Sequence, residues 1–295
     1  MRSEAVALAD SRTRTADFVA LAKPRLNVLV VASTAAGYAM GAVDGLGAVR
    51  VLGMLIGTGL VAGGASAFNQ VIERDADALM RRTRMRPLAD QRLLPVEGTV
   101  FAAAMSLTGL WILAASANLL AAAVALATLV SYALVYTPLK RRTSFATVIG
   151  AIPGALPPVI GWAAARNNLS SEAWVLFGIA FLWQLPHFLS IAWIFREDYT
   201  RAGFPMLPVI EPDGRSTGRQ SVVYAAALIP VSLAPTLFGL AGRQYFVSAL
   251  ALGLAFLYLA FRFARTRAIR DARALFFGSI LYLPLLWIAM IANKL

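Results

Sequence analysis

The chain has 295 residues, of which 59% are hydrophobic and only 14% are charged, whereas a soluble domain carries about 25% charged residues. This composition excludes a soluble globular protein, because so few charges cannot cover its surface. Cysteine is absent and histidine occurs once, which excludes disulfides, a cysteine nucleophile and a metal site built from several histidines. The formal net charge is +12. In a membrane protein this charge indicates basic cytoplasmic loops or an anionic substrate, and no nucleic acid is expected as a partner.

Nine apolar segments are long enough to cross a bilayer, which takes about 20 residues of helix. None of them alternates polar and apolar residues as a half-buried strand does. The sequence therefore predicts an all-α, polytopic membrane protein, a bundle of nine transmembrane helices in a single domain over residues 1–295. In chain order the predicted spans are Leu26–Val43, Val51–Gln70, Val100–Ala117, Leu119–Tyr136, Phe145–Ala165, Ala173–Phe195, Ser221–Leu240, Tyr245–Phe263 and Ala274–Ala292.

The Lys and Arg residues predict the orientation of these spans. On the side of the N-terminus lie 23 of the 27 basic residues, and only Arg50, Arg166, Arg243 and Lys294 lie on the other. Cytoplasmic loops carry an excess of Lys and Arg, so we expect the N-terminal segment 1–25 in the cytoplasm and the C-terminus outside. Those 25 residues lack an apolar core and contain acidic residues, unlike a signal or transit peptide. We therefore expect a multi-pass protein embedded in the lipid bilayer of a bacterial inner membrane.

A column of oxygen-bearing side chains ends the second span. No Gly or Pro interrupts this segment, so its helix is expected to continue to about Met80. Asn69, Glu73 and Asp77 are four residues apart and share one helix face, whereas Asp75 points elsewhere. Three oxygen ligands suit a hard cation such as Mg²⁺. The alternative is an amphipathic helix end whose acids are neutralised by arginines, but amide side chains at membrane depth favour a functional site.

Two groups of basic residues follow spans 2 and 4, at the end of the bundle where the acids lie, and together they could bind a diphosphate. They are Arg81, Arg82, Arg84 and Arg86 after span 2, and Lys140, Arg141 and Arg142 after span 4. Positive cytoplasmic loops would explain each of them without any ligand. Beside a carboxylate-bound cation, however, arginine forks and lysine bind phosphate oxygens well. Two long cytoplasmic loops, at 77–99 and 196–220, could cover such a site as a lid.

The segment Trp183–Pro208 contains a third candidate set. His187 is the only histidine and lies in span 6 with Gln184, and at a spacing of three residues they share a helix face. Pro186 is expected to break this helix locally. Asp198 lies at the predicted cytoplasmic mouth, roughly 16 Å from His187 along a straight helix, so the two cannot bind one ion. A lone histidine is as often a packed core residue as a ligand, and both interpretations stay open.

Five segments resemble motifs of the UbiA superfamily of intramembrane prenyltransferases, and within it the branch that farnesylates haem. Nine spans with the N-terminus inside are also the architecture of that family, and the resemblance covers nearly the whole chain. At Glu73 this branch usually has aspartate, and at Gln70 it has Asn or Asp. The segments are LAKPR (Leu21–Arg25), NQVIERDAD (Asn69–Asp77) with MRRTRMRPL (Met80–Leu88), YTPLKRRT (Tyr136–Thr143), WQLPHF (Trp183–Phe188) and DYTRAGFPMLPV (Asp198–Val209).

The resemblance implies magnesium-dependent transfer of a farnesyl group from farnesyl diphosphate to a vinyl group of haem b, with net addition of water. Haem is then a substrate rather than a cofactor, and the implied protein partners are haem A synthase or the assembly of a terminal oxidase. Mg²⁺ would be held by Asn69, Glu73 and Asp77. The residues implied in catalysis are Asn69, Glu73, Asp77, His187 and Asp198, and those implied in binding the diphosphate are Arg74, Arg82, Arg86, Lys140 and Arg141.

Three other functions stay open on the sequence alone. Relatives that prenylate other aromatic acceptors carry a second aspartate-rich motif after span 6, where this chain has His187 and Glu197/Asp198 instead. A transporter would place ionisable groups and broken helices at the membrane midplane, whereas the acids and bases here gather at the predicted cytoplasmic ends. A non-catalytic haem-binding protein would rest on His187. The enzyme hypothesis also predicts an apolar chamber lined by Phe and Trp, because an allylic carbocation has to be kept from water.

Overall fold

The computed structural model describes residues 13–43 and 47–295. Within these ranges the chain is helical, and its one β contact is an isolated antiparallel bridge between Ala241 and Lys294. Residues 1–12 of the predicted N-terminal segment 1–25 lie outside the described residues. Nine helical stretches in the described part are long and apolar enough to cross a membrane. The prediction of an all-α membrane protein with nine spans is therefore confirmed.

The helices coincide with the predicted spans, and several extend beyond them. Two short helices, α8 and α9, lie between spans, and α1 and α2 together make the first candidate span. The helices are α1 (Arg14–Ala22), α2 (Pro24–Gly41), α3 (Ala48–Leu79), α4 (Pro95–Ser116), α5 (Leu119–Leu139), α6 (Ala146–Arg166), α7 (Ser171–Ile194), α8 (Arg196–Arg201), α9 (Leu207–Ile210), α10 (Arg215–Leu237), α11 (Arg243–Thr266) and α12 (Ile269–Ala292).

Local structure differs from the predictions at three places. Helix α3 ends at Leu79 and α4 begins at Pro95, so the predicted loop 77–99 is shortened to 80–94. The predicted loop 196–220 contains α8, α9 and the start of α10. Pro186 does not break α7, which is continuous from Ser171 to Ile194. Proline removes one backbone hydrogen bond, and helices inside a membrane bundle tolerate this loss because neighbouring groups satisfy the freed carbonyl.

The nine spans form a closed ring. Each span packs against the next along the chain, and the last one, α12, packs against α2. The second half of α6, Pro157–Arg166, also contacts α2, α3 and α7 and is almost entirely buried, so it fills the centre of the ring at one end. Because successive spans alternate in direction, the C-terminal ends of α3, α5 and α7 meet at the opposite end.

Two glycines let α2 and α6 pack backbone against backbone. A Cβ atom on Gly37 would lie 1.9 Å from the carbonyl oxygen of Pro158, and one on Gly161 would lie 1.9 Å from that of Thr34. Small residues serve this purpose in membrane bundles, where close packing rather than the hydrophobic effect drives helix association. This contact fixes α2 relative to the centre of the ring.

Candidate active site

Three oxygen-bearing side chains of α3 lie on one buried face, as the spacing predicts. Asn69, Glu73 and Asp77 are 4%, 2% and 1% exposed, although they lie towards the end of a membrane helix. Asp75 is exposed and pairs with Arg74 at 3.5 Å, so it points elsewhere, also as predicted. Burying a carboxylate is costly unless it meets a positive or hydrogen-bonding partner. The partners of these side chains therefore define the site.

Glu73 is held by Lys140, which follows α5. The Nζ atom of Lys140 donates to both carboxylate oxygens of Glu73, at 3.2 Å each. Burial acts to lower the pKa of Lys140, but the negative charge of Glu73, together with nearby tyrosines, outweighs it, so the pKa is raised above its ordinary value. The ammonium group also lies 4.8 Å from the centre of the Phe204 ring, within the range of a cation–π contact.

Asp77 is held by Arg86, whose Nη1 donates to Oδ2 at 2.7 Å. The hydroxyl of Thr83 donates to the backbone carbonyl of Asp77 at 2.9 Å, so the loop 80–94 folds back over the end of α3. The other carboxylate oxygen, Oδ1, is buried and has no hydrogen-bond partner among the described residues. A buried oxygen of this kind calls for a partner, and it fits a ligand such as a cation.

Asn69 is oriented by a π-helical turn of α5 at Ser131–Tyr136. The hydroxyl of Thr137, just after this turn, donates to the carbonyl of Tyr132 at 2.8 Å and accepts from Nδ2 of Asn69 at 3.3 Å. The amide oxygen of Asn69 consequently faces Lys23, whose Nζ lies 3.5 Å away. Such π-helical turns are frequent at functional sites, and this one directs an oxygen ligand into the site.

Lys23 adds a basic group that the sequence alone did not single out. It joins α1 to α2 in the left-handed conformation, with a φ of 46°, which is uncommon for a residue with a side chain. Gln70 stabilises the end of α1 by donating from Nε2 to the carbonyl of Leu21 at 2.9 Å. The sequence signal that could have identified Lys23 is Pro24. Proline often begins a helix, so the residue before it lies at a helix boundary.

An apolar chamber of about 320 Å³ lies next to these groups, inside the ring. Lys23 and Tyr136 line the polar end of the chamber. Ala62 and Thr128 line the deep end, and each lies about two helical turns before the site residues of its own helix, Asn69 on α3 and Tyr136 on α5. Of the predicted Phe and Trp lining, the chamber has Phe188 and no tryptophan, and its other aromatic residues are Tyr132 and Tyr136. Lys23 therefore connects the apolar chamber to the charged side chains, because its Nζ lies 3.5 Å from the amide oxygen of Asn69.

The segment after α7 covers the polar end. Asp198 on α8 accepts hydrogen bonds from the backbone N–H groups of Arg81 and Arg82, at 3.1 and 3.4 Å. Both carboxylate oxygens of this predicted catalytic residue therefore hold the loop 80–94. Tyr199 and Phe204 pack next to Met80 in the same buried cluster. The two predicted lid segments are thus joined to each other over the site.

The five basic residues implied in diphosphate binding are not all brought together. Arg86 and Lys140 contact the carboxylates, and Arg82 lies beside them, with its guanidinium donating to a tyrosine hydroxyl of α8 at 3.3 Å. Arg74 turns to its own helix and to a neighbouring exposed acid, and Arg141 is exposed. The structure thus brings two of the five, Arg86 and Lys140, into contact with the carboxylates, and it adds Lys23 next to Asn69.

His187 lies in a separate cluster between α7 and α12. Its Nδ1 atom is 2.7 Å from the hydroxyl of Ser279, and its ring stacks between Trp183 and Phe276, with centroids 5.4 and 5.1 Å away. Gln184 instead donates to a backbone carbonyl of α6 at 2.6 Å, so the two residues contact different helices despite their spacing. His187 and Asp198 share no partner, in agreement with the predicted separation.

Comparison with known proteins assigns this arrangement to a family. The model of the UbiA prenyltransferase family matches residues 30–283. The chain belongs to the UbiA prenyltransferase family. It is therefore a membrane-embedded prenyltransferase, as the resemblance implied. Two relatives are the protoheme IX farnesyltransferase of Solibacter usitatus, 49% identical over 94% of this chain and 98% of that protein, and that of Koribacter versatilis, 44% identical over 94% and 93%.

Solved structures share the fold of this prenyltransferase. A digeranylgeranylglyceryl phosphate synthase matches with a TM-score of 0.78 at 15% identity, covering 94% of this chain and 97% of that one. A UbiA homologue from Archaeoglobus fulgidus bound to GPP and Mg²⁺ matches with a TM-score of 0.69 at 17% identity, covering 94% and 99%. These matches confirm the predicted architecture.

The donor set of this prenyltransferase fits a magnesium ion that is shared with a substrate. Among the described residues no three His, Cys, Asp or Glu side chains lie close enough together to hold a metal ion. The column of α3 supplies two carboxylates and one amide oxygen, with Asp77 Oδ1 unpartnered. Mg²⁺ commonly takes one or two carboxylates and completes its coordination with phosphate oxygens and water, which matches this incomplete set.

Proposed function

We propose that this prenyltransferase transfers a farnesyl group from farnesyl diphosphate to a vinyl group of haem b, in a magnesium-dependent reaction that gives haem O and diphosphate. The observation that carries the proposal is that Lys23, which lines the apolar chamber, contacts Asn69 on the same helix face as the paired carboxylates Glu73 and Asp77. A prenyl diphosphate has the same two parts, a charged head and an apolar chain.

The charged end is suited to ionise an allylic diphosphate. Mg²⁺, when held by Asn69, Glu73 and Asp77, would supply Lewis-acid stabilisation to the leaving group. Arg86 donates a hydrogen bond to Asp77, and Lys140 donates to Glu73. The positive charges of these two groups would stabilise the negative charge that develops on the diphosphate as the C–O bond breaks. The GPP and Mg²⁺ bound to the Archaeoglobus fulgidus homologue support this assignment.

The chamber protects the reactive carbon from water. Its volume of about 320 Å³ falls within the range of roughly 300–1,000 Å³ that is usual for ligand pockets. Tyr132, Tyr136 and Phe188 line it, and aromatic faces stabilise a nearby cation. The joined lid segments close the polar end, and exclusion of water prevents hydrolysis of a carbocation.

Haem as the acceptor is supported by the relatives, which are named protoheme IX farnesyltransferases. In the balanced reaction, diphosphate leaves with the electron pair of the broken C–O bond, and the allylic carbon bonds to the terminal vinyl carbon. Water then adds its hydroxyl group to the remaining vinyl carbon and releases a proton. The products are a hydroxyfarnesylethyl haem and diphosphate.

The test is product formation by the purified protein in detergent or lipid, with haem b, farnesyl diphosphate and Mg²⁺. Mass spectrometry is expected to find haem b increased by one farnesyl group and one hydroxyl group, and chelation of Mg²⁺ is expected to abolish this product. Asp77→Asn should also abolish it, while Asp75→Asn, an exposed acid on the same helix, should leave it unchanged.

Two outcomes would contradict the proposal in different ways. Prenylation of another aromatic acceptor, with none of haem, would refute the acceptor and keep prenyl transfer. Uptake of labelled farnesyl diphosphate or haem into vesicles without any product would indicate a transporter instead.

A further inference from the structure

Ser279 on α12 is the centre of the cluster around the single histidine. Its backbone carbonyl accepts from Nε1 of Trp183 at 2.8 Å, and its hydroxyl contacts both the carbonyl of Phe276 at 2.5 Å and Nδ1 of His187 at 2.7 Å. Ser279 is 0% exposed, so water does not replace these contacts. One buried residue therefore holds the indole and the imidazole in place together.

The contacts of Ser279 favour one tautomer of the imidazole. A serine hydroxyl has one hydrogen and two lone pairs, and the carbonyl oxygen of Phe276, 2.5 Å away, can only accept that hydrogen. With the hydrogen assigned to this carbonyl, the serine oxygen accepts from His187, and Nδ1 carries the hydrogen. In the neutral imidazole, Nε2 is consequently the atom with the free lone pair.

The Nε2 edge of the ring has no protein hydrogen bond within the described residues. The rings of Trp183 and Phe276 stack against the imidazole, and Ser279 occupies the Nδ1 edge. Nε2 is not among the fully enclosed side-chain atoms of these residues that lack a partner. These contacts restrict rotation of the ring and leave the Nε2 lone pair for a ligand.

The neighbouring residue connects this cluster to the prenyl chamber. Phe188 follows His187 in the chain, its ring centroid lies 5.8 Å from that of the imidazole, and it lines the chamber. A flat, apolar acceptor bound beside His187 would therefore lie next to the space proposed for the farnesyl chain. The aromatic surroundings also suit a porphyrin, which is largely apolar.

We infer that Nε2 of His187 binds the iron of the haem acceptor as its axial ligand, and that Ser279 is the positioning residue that fixes the tautomer and orientation of this imidazole. The inference rests on the proposed function, because it takes haem as the substrate. Metal-binding histidines usually donate their second N–H to an oxygen atom, and such partners orient the ligand and contribute to its affinity. Ser279 supplies that oxygen here.

The test is the visible spectrum of haem b bound to the purified full-length protein, titrated without farnesyl diphosphate. His187→Gly is expected to lose the bands of imidazole-bound haem, and added imidazole should restore them. Ser279→Ala is expected to weaken haem binding by about tenfold or more. Ser190→Ala is the matched control, because this buried hydroxyl donates to the backbone carbonyl of His187 at 2.7 Å and not to its ring.

An unchanged haem spectrum in His187→Gly would overturn the inference, and so would equal haem affinity in Ser279→Ala and Ser190→Ala. Imidazole rescue separates loss of a ligand from loss of the fold, since a misfolded variant is not repaired by a small base. The readout is also independent of turnover. If the wild-type protein forms haem O while its spectrum does not depend on His187, the inference fails and the proposed function stands. If the spectrum depends on His187 and no product forms, the proposed function fails alone.

Discussion

At the scale of single residues, the site consists of two buried carboxylates, each paired with a cation on another segment. Glu73 and Lys140 are 67 positions apart, and Asp77 and Arg86 are nine apart. Removing one partner of a buried pair leaves an uncompensated charge, which costs about 3–5 kcal/mol. The same side chains therefore stabilise the fold and bind the proposed substrate, and a single substitution changes both properties.

A double substitution separates these two effects. Glu73→Gln and Lys140→Met should each lower stability, by about 3 kcal/mol, and lower turnover by about 100-fold or more, because each removes transition-state stabilisation. The combined variant, which has neither charge, should regain most of the stability and remain inactive. Thermal unfolding in detergent and haem O formation are the measurements. Glu73→Asp keeps the carboxylate and should remain active. Wild-type turnover in the combined variant at saturating Mg²⁺ would contradict the assignment.

The sequence was sufficient to predict the residues that act through local spacing. The four-residue spacing of Asn69, Glu73 and Asp77 defines a helix face whatever the fold. Lys23 and Thr137 could not be found by this spacing, because they reach the site through packing between distant helices. The basic residues were predicted as a group by charge alone, and only the fold distinguishes Arg86, which faces a carboxylate, from Arg141, which is exposed.

At the scale of elements, the π-helical turn of α5 contains one residue more than a regular helical turn, and this extra residue determines how the residues at its end are placed. Nothing in the letters SYALVY distinguishes such a turn from an α-helix, so the prediction of span 4 could not include it. The turn places Thr137 against Asn69 and is followed directly by Lys140. A change in this turn would therefore displace both Thr137 and Lys140.

Deletion of Leu134 tests the turn. This residue lies within the turn and is 67% exposed, so its side chain contributes little to the interior. Removing one residue should convert the π-helical turn to a regular α-helical turn. This change removes the local geometry that holds the Thr137 hydroxyl between Tyr132 and Asn69, so most of the turnover should be lost. Leu134→Ala, which keeps the register, should retain wild-type kinetics. Equal activity of both variants would show that the turn has no functional role.

The lid segments are a second element-scale feature, and Asp198 joins them to each other. Asp198→Ala removes both acceptors of the backbone N–H groups of Arg81 and Arg82. We expect this substitution to loosen the loop 80–94 and to increase proteolysis within it. The KM for farnesyl diphosphate should rise by about tenfold, because each lost hydrogen bond to a charged group is worth about 1.5–3 kcal/mol. Glu197→Ala, the adjacent exposed acid, is the control. A fall in kcat with unchanged KM and proteolysis would instead favour the direct catalytic role implied by the sequence.

At the scale of the whole molecule, the closed ring depends on the contact between α2 and α6. Gly161→Ala should destabilise the protein by about 1–3 kcal/mol or more, because the new methyl group would meet a backbone oxygen that cannot move away freely. Gly59→Ala is the matched control, since its nearest neighbour would be a valine methyl at 3.6 Å. This second change should be neutral or stabilising by about 0.5–1 kcal/mol. Equal unfolding temperatures in detergent would contradict the tight packing.

The number of spans was predictable because the bilayer sets the length of an apolar helix, whereas the ring was not. Hydropathy reports which segments enter the membrane and says nothing of which helices meet across it. The glycines at Gly37 and Gly161 are uninformative until their partners are known, because glycine is frequent in membrane helices. The chamber has the same origin, since it is the space that five different helices leave between them.

The orientation of the ring in the membrane is still a prediction, and it decides from which side the site is reached. The sequence assigns 23 of the 27 basic residues to the side of the N-terminus. Asp77, Lys140 and Asp198 belong to the same side, so we expect the end of the ring that carries them to face the cytoplasm. Because the chain has no cysteine, Asp213→Cys and Gln244→Cys each introduce a single thiol, at exposed positions on opposite ends of the ring. A membrane-impermeant maleimide should label Gln244→Cys from outside the inner membrane, and should label Asp213→Cys only after lysis. The cysteine-free wild type controls for background, and the reverse pattern would place the charged entrance on the outer side and contradict the charge argument.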